Sequence, residues 1–308
     1  MSCQSYNKHT LTNKVGEETI IFRVGKASQT QDFSIHKKLI SKLPYWARRD
    51  DVKQAGPGAV LTFGDDDPNS WKLFVDWLYH GMIPRSPTKV ALKTKPSALE
   101  AYRLETDLRM RFDENQSNLV GLYGLAEKYA VHNLMNQTID NIQDGFHEYG
   151  TVFGPGLNQK VFNVTKKDSK LRELCVSTNI IHTDRGCSLL RKEIYQAAIM
   201  IPGYLPDLLK WISRNNVMFA RRSNEGLFDI SKLDEAFSML NRKKLCPCYF
   251  HIHENGAAHK GHKSCAIPFL DCSHPGDEPD EEESDAALQA CLRNALAESF
   301  LSQIVIHR

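Results

Sequence analysis

The chain lacks the sequence features of a membrane or secreted protein. No run approaches the ~18 apolar residues that a bilayer-spanning helix needs, and residues 1–20 have no apolar centre of the kind found in signal peptides. Neither charge sign dominates, because 39 basic and 37 acidic residues leave a formal net charge of +2. The net charge of the chain is therefore too small to attract nucleic acid or an anionic membrane. These features predict an intracellular protein, cytoplasmic or nuclear, with no membrane partner and with nucleic acid as an unfavoured one.

The sequence also lacks the local motifs of common enzymes. It contains no Gly-x-x-x-x-Gly-Lys-Ser/Thr phosphate loop, no Gly-x-Ser-x-Gly elbow and no His-Glu-x-x-His zinc motif. Residues 248–253 read CYFHIH and resemble the strand-end His-x-His of metal-dependent hydrolases, but Glu254, Asn255 and Gly256 stand where that motif needs an Asp. We therefore predict no enzyme, no catalytic or cofactor-binding residues and no small-molecule substrate, with a metallohydrolase as the least favoured alternative.

The composition is that of an ordinary folded protein, with 41% hydrophobic and 25% charged residues. At 308 residues the chain reaches the size at which single cores divide, so two units are expected. Glycines and a proline in residues 150–156 mark a candidate boundary. We predict a first domain at 18–147, a linker at 148–166, a helical region at 167–275, and an acidic linker with an amphipathic C-terminal helix at 276–308.

The first domain begins with strand patterns. Thr19–Gly25 and Thr30–Ile35 are rich in β-branched and aromatic residues and flank a Gly-Lys-Ala-Ser turn, which predicts a hairpin. Ala59–Phe63 predicts a third strand. Between them, His36–Leu43 has helical spacing, and Pro44 is expected to end that helix.

A strong helix is expected from Pro68, with Asp67 as its N-cap and Gly81 at its end. The apolar stripes of this helix and of those that follow predict one shared core, which contains Trp71, Leu78, Leu122 and Tyr129.

Residues 84–115 have weak periodicity and predict a variable surface insertion, with a short helix at 98–110. Order is expected to return in two helices, at 117–131 and 134–146. Further helices are expected at 170–181, 188–200, 207–214 and 229–240.

Three segments together resemble a BTB/POZ domain of the filamentous-fungal type. They read FSIHKKLISK at Phe33–Lys42, LTFGDDDPNSWKLFVDWLYHGMI at Leu61–Ile83 and LVGLYGLAEKYAVHNLMNQTIDNI at Leu119–Ile142. A fourth, NVTKKDSKLRELCV at Asn163–Val176, is similar to the stretch that follows this domain in many fungal members. The resemblance covers residues 18–147 and rests on the order and spacing of the segments.

This resemblance implies an α+β fold in which a short β-sheet packs on a helical cluster, followed by a mostly α-helical C-terminal region. It also implies a binding function: self-association, or recruitment as an adaptor to a scaffold such as a cullin-family ubiquitin ligase. No recognisable kelch, BACK, ankyrin or zinc-finger domain follows, so the more specialised roles of the family are not carried over.

The C-terminal region contains one chemical anomaly, a Cys/His-rich segment at residues 245–274. It reads LCPCYFHIHENGAAHKGHKSCAIPFLDCSH and holds four cysteines and five histidines. Two pairs with a three-residue step, joined by a glycine-containing loop, are suited to one tetrahedral zinc ion. The predicted structural zinc ligands are Cys248, His251, His262 and Cys265.

Two alternatives to a purely structural zinc site stay open. The segment can consist of loosely packed thiols and surface histidines, because neither Cys-x-Cys nor His-x-His has the usual ligand spacing. Alternatively, a zinc-stabilised regulatory segment contacts nucleic acid through neighbouring basic side chains, which are Arg242, Lys243, Lys244, Lys260 and Lys263.

Overall fold

The computed structural model describes residues 16–83, 97–184, 188–222 and 249–252. Over these residues the chain is α+β, with one three-stranded sheet followed by helices, as predicted at this coarse level. The strands are β1 Thr19–Val24, β2 Gln31–His36 and β3 Val60–Phe63. The helices are α1 Lys37–Ile40, α2 Pro44–Arg48, α3 Asp50–Gln54, α4 Pro68–His80, α5 Ala98–Lys128, α6 His132–Tyr149, α7 Pro155–Val164, α8 Lys170–Asp184, α9 Ser188–Met200 and α10 Tyr204–Arg222.

The sheet has the strand order β2-β1-β3. β1 pairs antiparallel with β2, with Phe22 opposite Phe33, and parallel with β3, with Phe22 opposite Leu61. Gly25 ends β1 with φ of +100°, and a Cβ there would lie 2.7 Å from the carbonyl oxygen of Gln29, so the turn requires glycine. The predicted hairpin and third strand are thus confirmed.

The helix predicted at His36–Leu43 is shorter than expected. Only α1, Lys37–Ile40, forms there, and Pro44 begins α2 instead of ending a helix. The physical reason is that a helix leaves its first N–H groups without internal partners, so a proline at the first position loses nothing.

Helix α4 begins and ends as predicted. The Asp67 side chain accepts hydrogen bonds from the backbone N–H groups of Asn69 and Ser70, and Pro68 occupies the first turn. Gly81 closes the helix with φ of +73°, in the left-handed region. Asp67 and Gly81 therefore set the two ends of the helix.

Residues 98–115, expected within a variable insertion, belong to the long helix α5. The short helix predicted at 98–110 and the helix predicted at 117–131 are one continuous element, which starts at a capping box between Ser97 and Glu100. Its first half is exposed on most sides, so its apolar periodicity is weak and the sequence pattern underestimates the length of the helix. Residues 84–96 lie outside the described residues.

Helix α7 occupies most of residues 148–166, where a linker was expected. The helix packs on α5 at a close approach: a Cβ built on Gly124 would lie 2.7 Å from the carbonyl oxygen of Val164. Phe153, just before α7, lies with its ring centroid 4.7 Å from that of Phe146 on α6. This segment is therefore packed against the first half, because its apolar residues bury there.

The second half is helical, as predicted at the level of its elements. Helices α8 and α9 match the predicted positions closely, whereas α10 starts at Tyr204, before Pro206, and runs to Arg222. Pro206 is tolerated because it stands in the first turn. The predicted helix at 229–240 and the segment at 276–308 lie outside the described residues, as does the Cys/His-rich segment except for 249–252.

One contiguous core connects the sheet and the helices. The indole ring of Trp71 lies 5.3 Å from the ring of Phe22 and 6.2 Å from that of Tyr129. Trp71, Leu122 and Tyr129 are buried, and Leu78 is partly buried against the same cluster, which confirms the predicted core. The cluster extends from Ile20 in β1 to Trp211 in α10 and includes Phe250.

None of the helices in the described ranges combines the length and apolar composition that crossing a membrane requires.

Candidate functional site

Of the four predicted zinc ligands, the structure describes one. His251 lies in the short described stretch 249–252, whereas Cys248, His262 and Cys265 lie outside the described residues. Across the part of the chain that the structure describes, no group of three or more His, Cys, Asp or Glu side chains is placed to hold a metal ion. The zinc site therefore stays a prediction.

Residues 249–252 form a docked segment, which lies against helix α6. His251 Nε2 is 2.8 Å from Oδ1 of Asp140, and both side chains are largely buried. Asn136, one turn earlier on α6, contacts the next residue of the segment, Ile252. Positions 136 and 140 share a helix face because they are four residues apart. One face of α6 thus holds consecutive residues of the segment.

Asn136 pairs with the backbone of Ile252 in both directions. Its Nδ2 donates to the Ile252 carbonyl oxygen at 2.9 Å, and its Oδ1 accepts from the Ile252 N–H at 2.8 Å. A side-chain amide has the same donor and acceptor as a peptide group, so this pair imitates one rung of a β-ladder. The contact holds the backbone of Ile252, while the Ile252 side chain packs partly buried against the core cluster.

Two aromatic side chains supply the apolar part of the contact. Phe250 is fully buried within the core cluster, and Tyr249 is buried beside it with a ring-centroid separation of 4.6 Å. The ammonium group of Lys170, at the start of α8, lies 5.7 Å from the Tyr249 ring centroid. Burial of a phenylalanine side chain contributes about 1.5–3 kcal/mol, so Phe250 is the main apolar anchor of the docked segment.

Sequence reasoning missed both helical partners of this segment. Asn136 and Asp140 stand in the amphipathic helix predicted at 134–146, where polar residues at helical spacing are typical of a solvated face. The available signal was the apolar run Tyr249–Phe250 inside a polar stretch, which marks a segment that needs burial.

A second feature is the first half of α5, residues 98–111, which we call the α5 arm. Four large apolar side chains on it are exposed: Leu99 to 60%, Tyr102 to 70%, Leu104 to 41% and Met110 to 67%. Only at Phe112 does the helix enter the core. Helical geometry places Leu99, Tyr102 and Met110 on one side of the arm and Leu104 on another. A group of exposed apolar side chains on one side of a helix is typical of a surface that binds another protein.

The charges of the arm are divided along its length. Residues 98–107 contain three acidic residues and one basic residue, a net charge of −2, whereas residues 108–111 contain two arginines, a net charge of +2. Ion pairs at i,i+4 spacing, Asp107 with Arg111 and Arg109 with Asp113, support the exposed helix. The arm therefore has an acidic stretch at residues 98–107 and a short basic stretch at residues 108–111, whose two arginines form ion pairs with Asp107 and Asp113.

A third feature is an open polar cleft of about 660 Å³ between the start of α4, the middle of α5 and α7. At its base, buried Asp66 accepts hydrogen bonds from Trp71 Nε1 at 2.9 Å, from Lys128 Nζ at 2.7 Å and from the Tyr129 hydroxyl. Burial and the Asp66 carboxylate raise the pKa of Tyr129 far above its usual range. This tyrosine is therefore a hydrogen-bond donor and not an acid-base group.

Lys160 on α7 is the half-buried cation of the cleft. Its ammonium group donates to Ser117 Oγ at 2.8 Å, and burial lowers its pKa while nearby Asp67 opposes that shift. The principal charges of the cleft thus take part in contacts that join α4, α5 and α7. We assign the cleft a structural role.

Comparisons of this chain with family models, with curated proteins and with solved structures found no match.

Proposed function

We propose that this protein is a non-catalytic protein–protein interaction module that associates with a second copy of itself through the α5 arm. The resemblance of residues 18–147 to BTB/POZ domains supports a binding function, since self-association is one of the two activities that the resemblance implies. The single observation that carries the proposal is the exposure of Leu99, Tyr102, Leu104 and Met110 on one projecting helix.

The charge division of the arm favours a second copy as the partner. When two arms pair antiparallel over residues 98–111, residues 98–101 of each, net −1, face residues 108–111 of the other, net +2, whereas residues 102–107 face their own copies. Parallel pairing would place like charges together. Antiparallel pairing also generates a closed two-fold dimer, in which each copy contributes the same surface.

The test is the molar mass of the full chain, measured by light scattering over a range of concentrations. We expect a dimer that Tyr102→Glu converts to a monomer, because a buried unpaired carboxylate opposes association. The matched control is Met82→Glu, which places the same charge at a side chain 71% exposed but outside the arm. It should leave the dimer intact.

Charge exchange tests the antiparallel geometry. Variant one, Arg109→Glu with Arg111→Glu, makes both stretches of the arm acidic, whereas variant two, Glu100→Lys with Glu105→Lys, makes both stretches basic. Each should be monomeric alone, and a mixture of the two should form a heterodimer. A wild-type chain that is monomeric at ~100 μM, the concentration range of weak transient contacts, would refute the proposal, as would dimerisation unaffected by Tyr102→Glu.

A further inference from the structure

The contact between α6 and residues 249–252 has the design of a peptide-recognition site. The backbone of Ile252 is held at both its N–H and its carbonyl group by Asn136, at 2.8 and 2.9 Å. Main-chain hydrogen bonds of this kind give affinity for any extended strand, and pockets for individual side chains give specificity. The structure supplies both parts.

Four side chains define what such a site selects, the fourth being Ile252, which is partly buried against the core cluster. Phe250 is fully buried, Tyr249 packs beside it under the Lys170 ammonium group, and His251 Nε2 contacts Asp140 Oδ1. The segment in the site therefore consists, in order, of two aromatic residues, one histidine and one aliphatic residue. A peptide with this pattern of side chains is the class of ligand that fits the surface.

The present occupant is connected to the rest of the chain by a long stretch of sequence. Residues 223–248 separate Arg222, the end of α10, from Tyr249. Because the occupant belongs to the same chain, its contact with α6 is intramolecular, and a partner segment must compete with it.

We propose that the face of α6 bearing Asn136 and Asp140, together with the start of α8, is a binding site for a short peptide segment of a partner protein. The site takes a segment with the pattern aromatic, aromatic, histidine, aliphatic. The chain's own Tyr249–Ile252 is an internal ligand that occupies this site until a partner segment displaces it. This site is separate from the α5 arm and does not depend on self-association.

The test uses a fluorescein-labelled synthetic peptide, Ser-Tyr-Phe-His-Ile-His-Glu, which is residues 248–254 with serine in place of Cys248. Its binding to the full chain is followed by fluorescence anisotropy. In the variant Tyr249→Ala with Phe250→Ala, which we call the released variant, the internal ligand loses its two aromatic anchors. The released variant should bind the peptide at least tenfold more tightly than the wild type does, because the internal ligand no longer competes for the site.

Adding Asn136→Ala to the released variant should weaken peptide binding at least tenfold, because the backbone pair is lost. The matched control on the same helix is Gln137→Ala, whose side chain contacts Asn133 on the exposed surface. That control should leave binding unchanged. A peptide with alanine in place of the phenylalanine should not bind.

Hydrogen exchange of the wild-type chain gives a second readout that needs no variant. Excess unlabelled peptide should accelerate exchange of the Ile252 amide, because that N–H leaves Asn136 when the segment is displaced. Two results would overturn the proposal. One is equal peptide binding by wild type and released variant; the other is slow exchange of the Ile252 amide at every peptide concentration.

Discussion

Gly121 on α5 faces Ser70 on α4 so closely that a Cβ at position 121 would overlap the Ser70 hydroxyl oxygen. The next nearest atoms, Asp67 Oδ2 and Lys160 Nζ, would both lie at an ordinary 3.7 Å. The steric conflict therefore comes from one atom. Ser70 Oγ is also held in place, since it donates to Asp67 Oδ2 at 2.7 Å.

Gly121→Ala is expected to destabilise the chain by about 1–3 kcal/mol, the usual cost of overpacking a tight interface. In a Ser70→Ala background the same change should be neutral or stabilising by up to ~1 kcal/mol, because alanine is the better helix former. Chemical unfolding of the four proteins measures the coupling. Equal effects of Gly121→Ala in both backgrounds would show that Ser70 is not the obstacle.

Asp66→Ala should cost about 2–4 kcal/mol of unfolding free energy, because Trp71 Nε1 and the Tyr129 hydroxyl would be left as buried donors without an acceptor. The matched control is Asp65→Ala, because the Asp65 carboxylate is solvent-exposed and forms an ion pair with the equally exposed Lys26. That control should stay within ~0.5 kcal/mol of the wild type. Chemical denaturation of both variants measures the two losses of unfolding free energy. Similar losses would show that the hydrogen bonds to Asp66 contribute no more than an exposed ion pair.

The acid dependence of stability should change when Asp207 is replaced by asparagine. Burial raises the pKa of Asp207, an effect that Arg172, 3.7 Å away, offsets only in part. A carboxyl whose folded pKa lies above its unfolded value near 3.9 contributes stability below that value, and loses it as the pH rises through the folded pKa. Wild type should therefore lose stability relative to Asp207→Asn as the pH rises above about 4, the unfolded value of the carboxyl.

The measurement is the unfolding free energy of both proteins at successive pH values. Asp65→Asn, at an exposed position, controls for the general effect of removing one carboxylate. A constant difference between wild type and Asp207→Asn across these pH values would show that Asp207 has the same pKa in the folded and unfolded chain.

The zinc prediction for the Cys/His-rich segment is tested by metal analysis of purified protein. We expect about one zinc ion per chain, the stoichiometry of a single four-ligand site, and its loss in the variant Cys248→Ser with Cys265→Ser. Cys175→Ser is the matched control, because this thiol is buried in α8 and donates to Asn158 Oδ1 at 2.9 Å. Unchanged zinc content in the double variant would remove Cys248 and Cys265 from the site.

Several elements could be predicted from local sequence because local physics decides them. The N-cap Asp67, the C-terminal Gly81 and the alternating strand at Thr19–Val24 each leave a signature within a few residues. The exposed first half of α5 leaves a signature at its start, where Ser97 and Glu100 form a capping box, but its weak periodicity does not show that the helix continues into the next predicted one. Helix α7 was missed because the residues that bury it, such as Gly124, lie in another helix.

The sequence by itself determined the strands, most helices and the residues that fill the core, because burial patterns repeat with the period of each element. Only the tertiary structure decided that Asn136 and Asp140 meet residues 251 and 252, more than 100 positions later in the chain. No local pattern encodes that pairing, because it arises only when the packed helices place one face of α6 beside residues 249–252. The proposed peptide site therefore belongs to the fold and not to any motif.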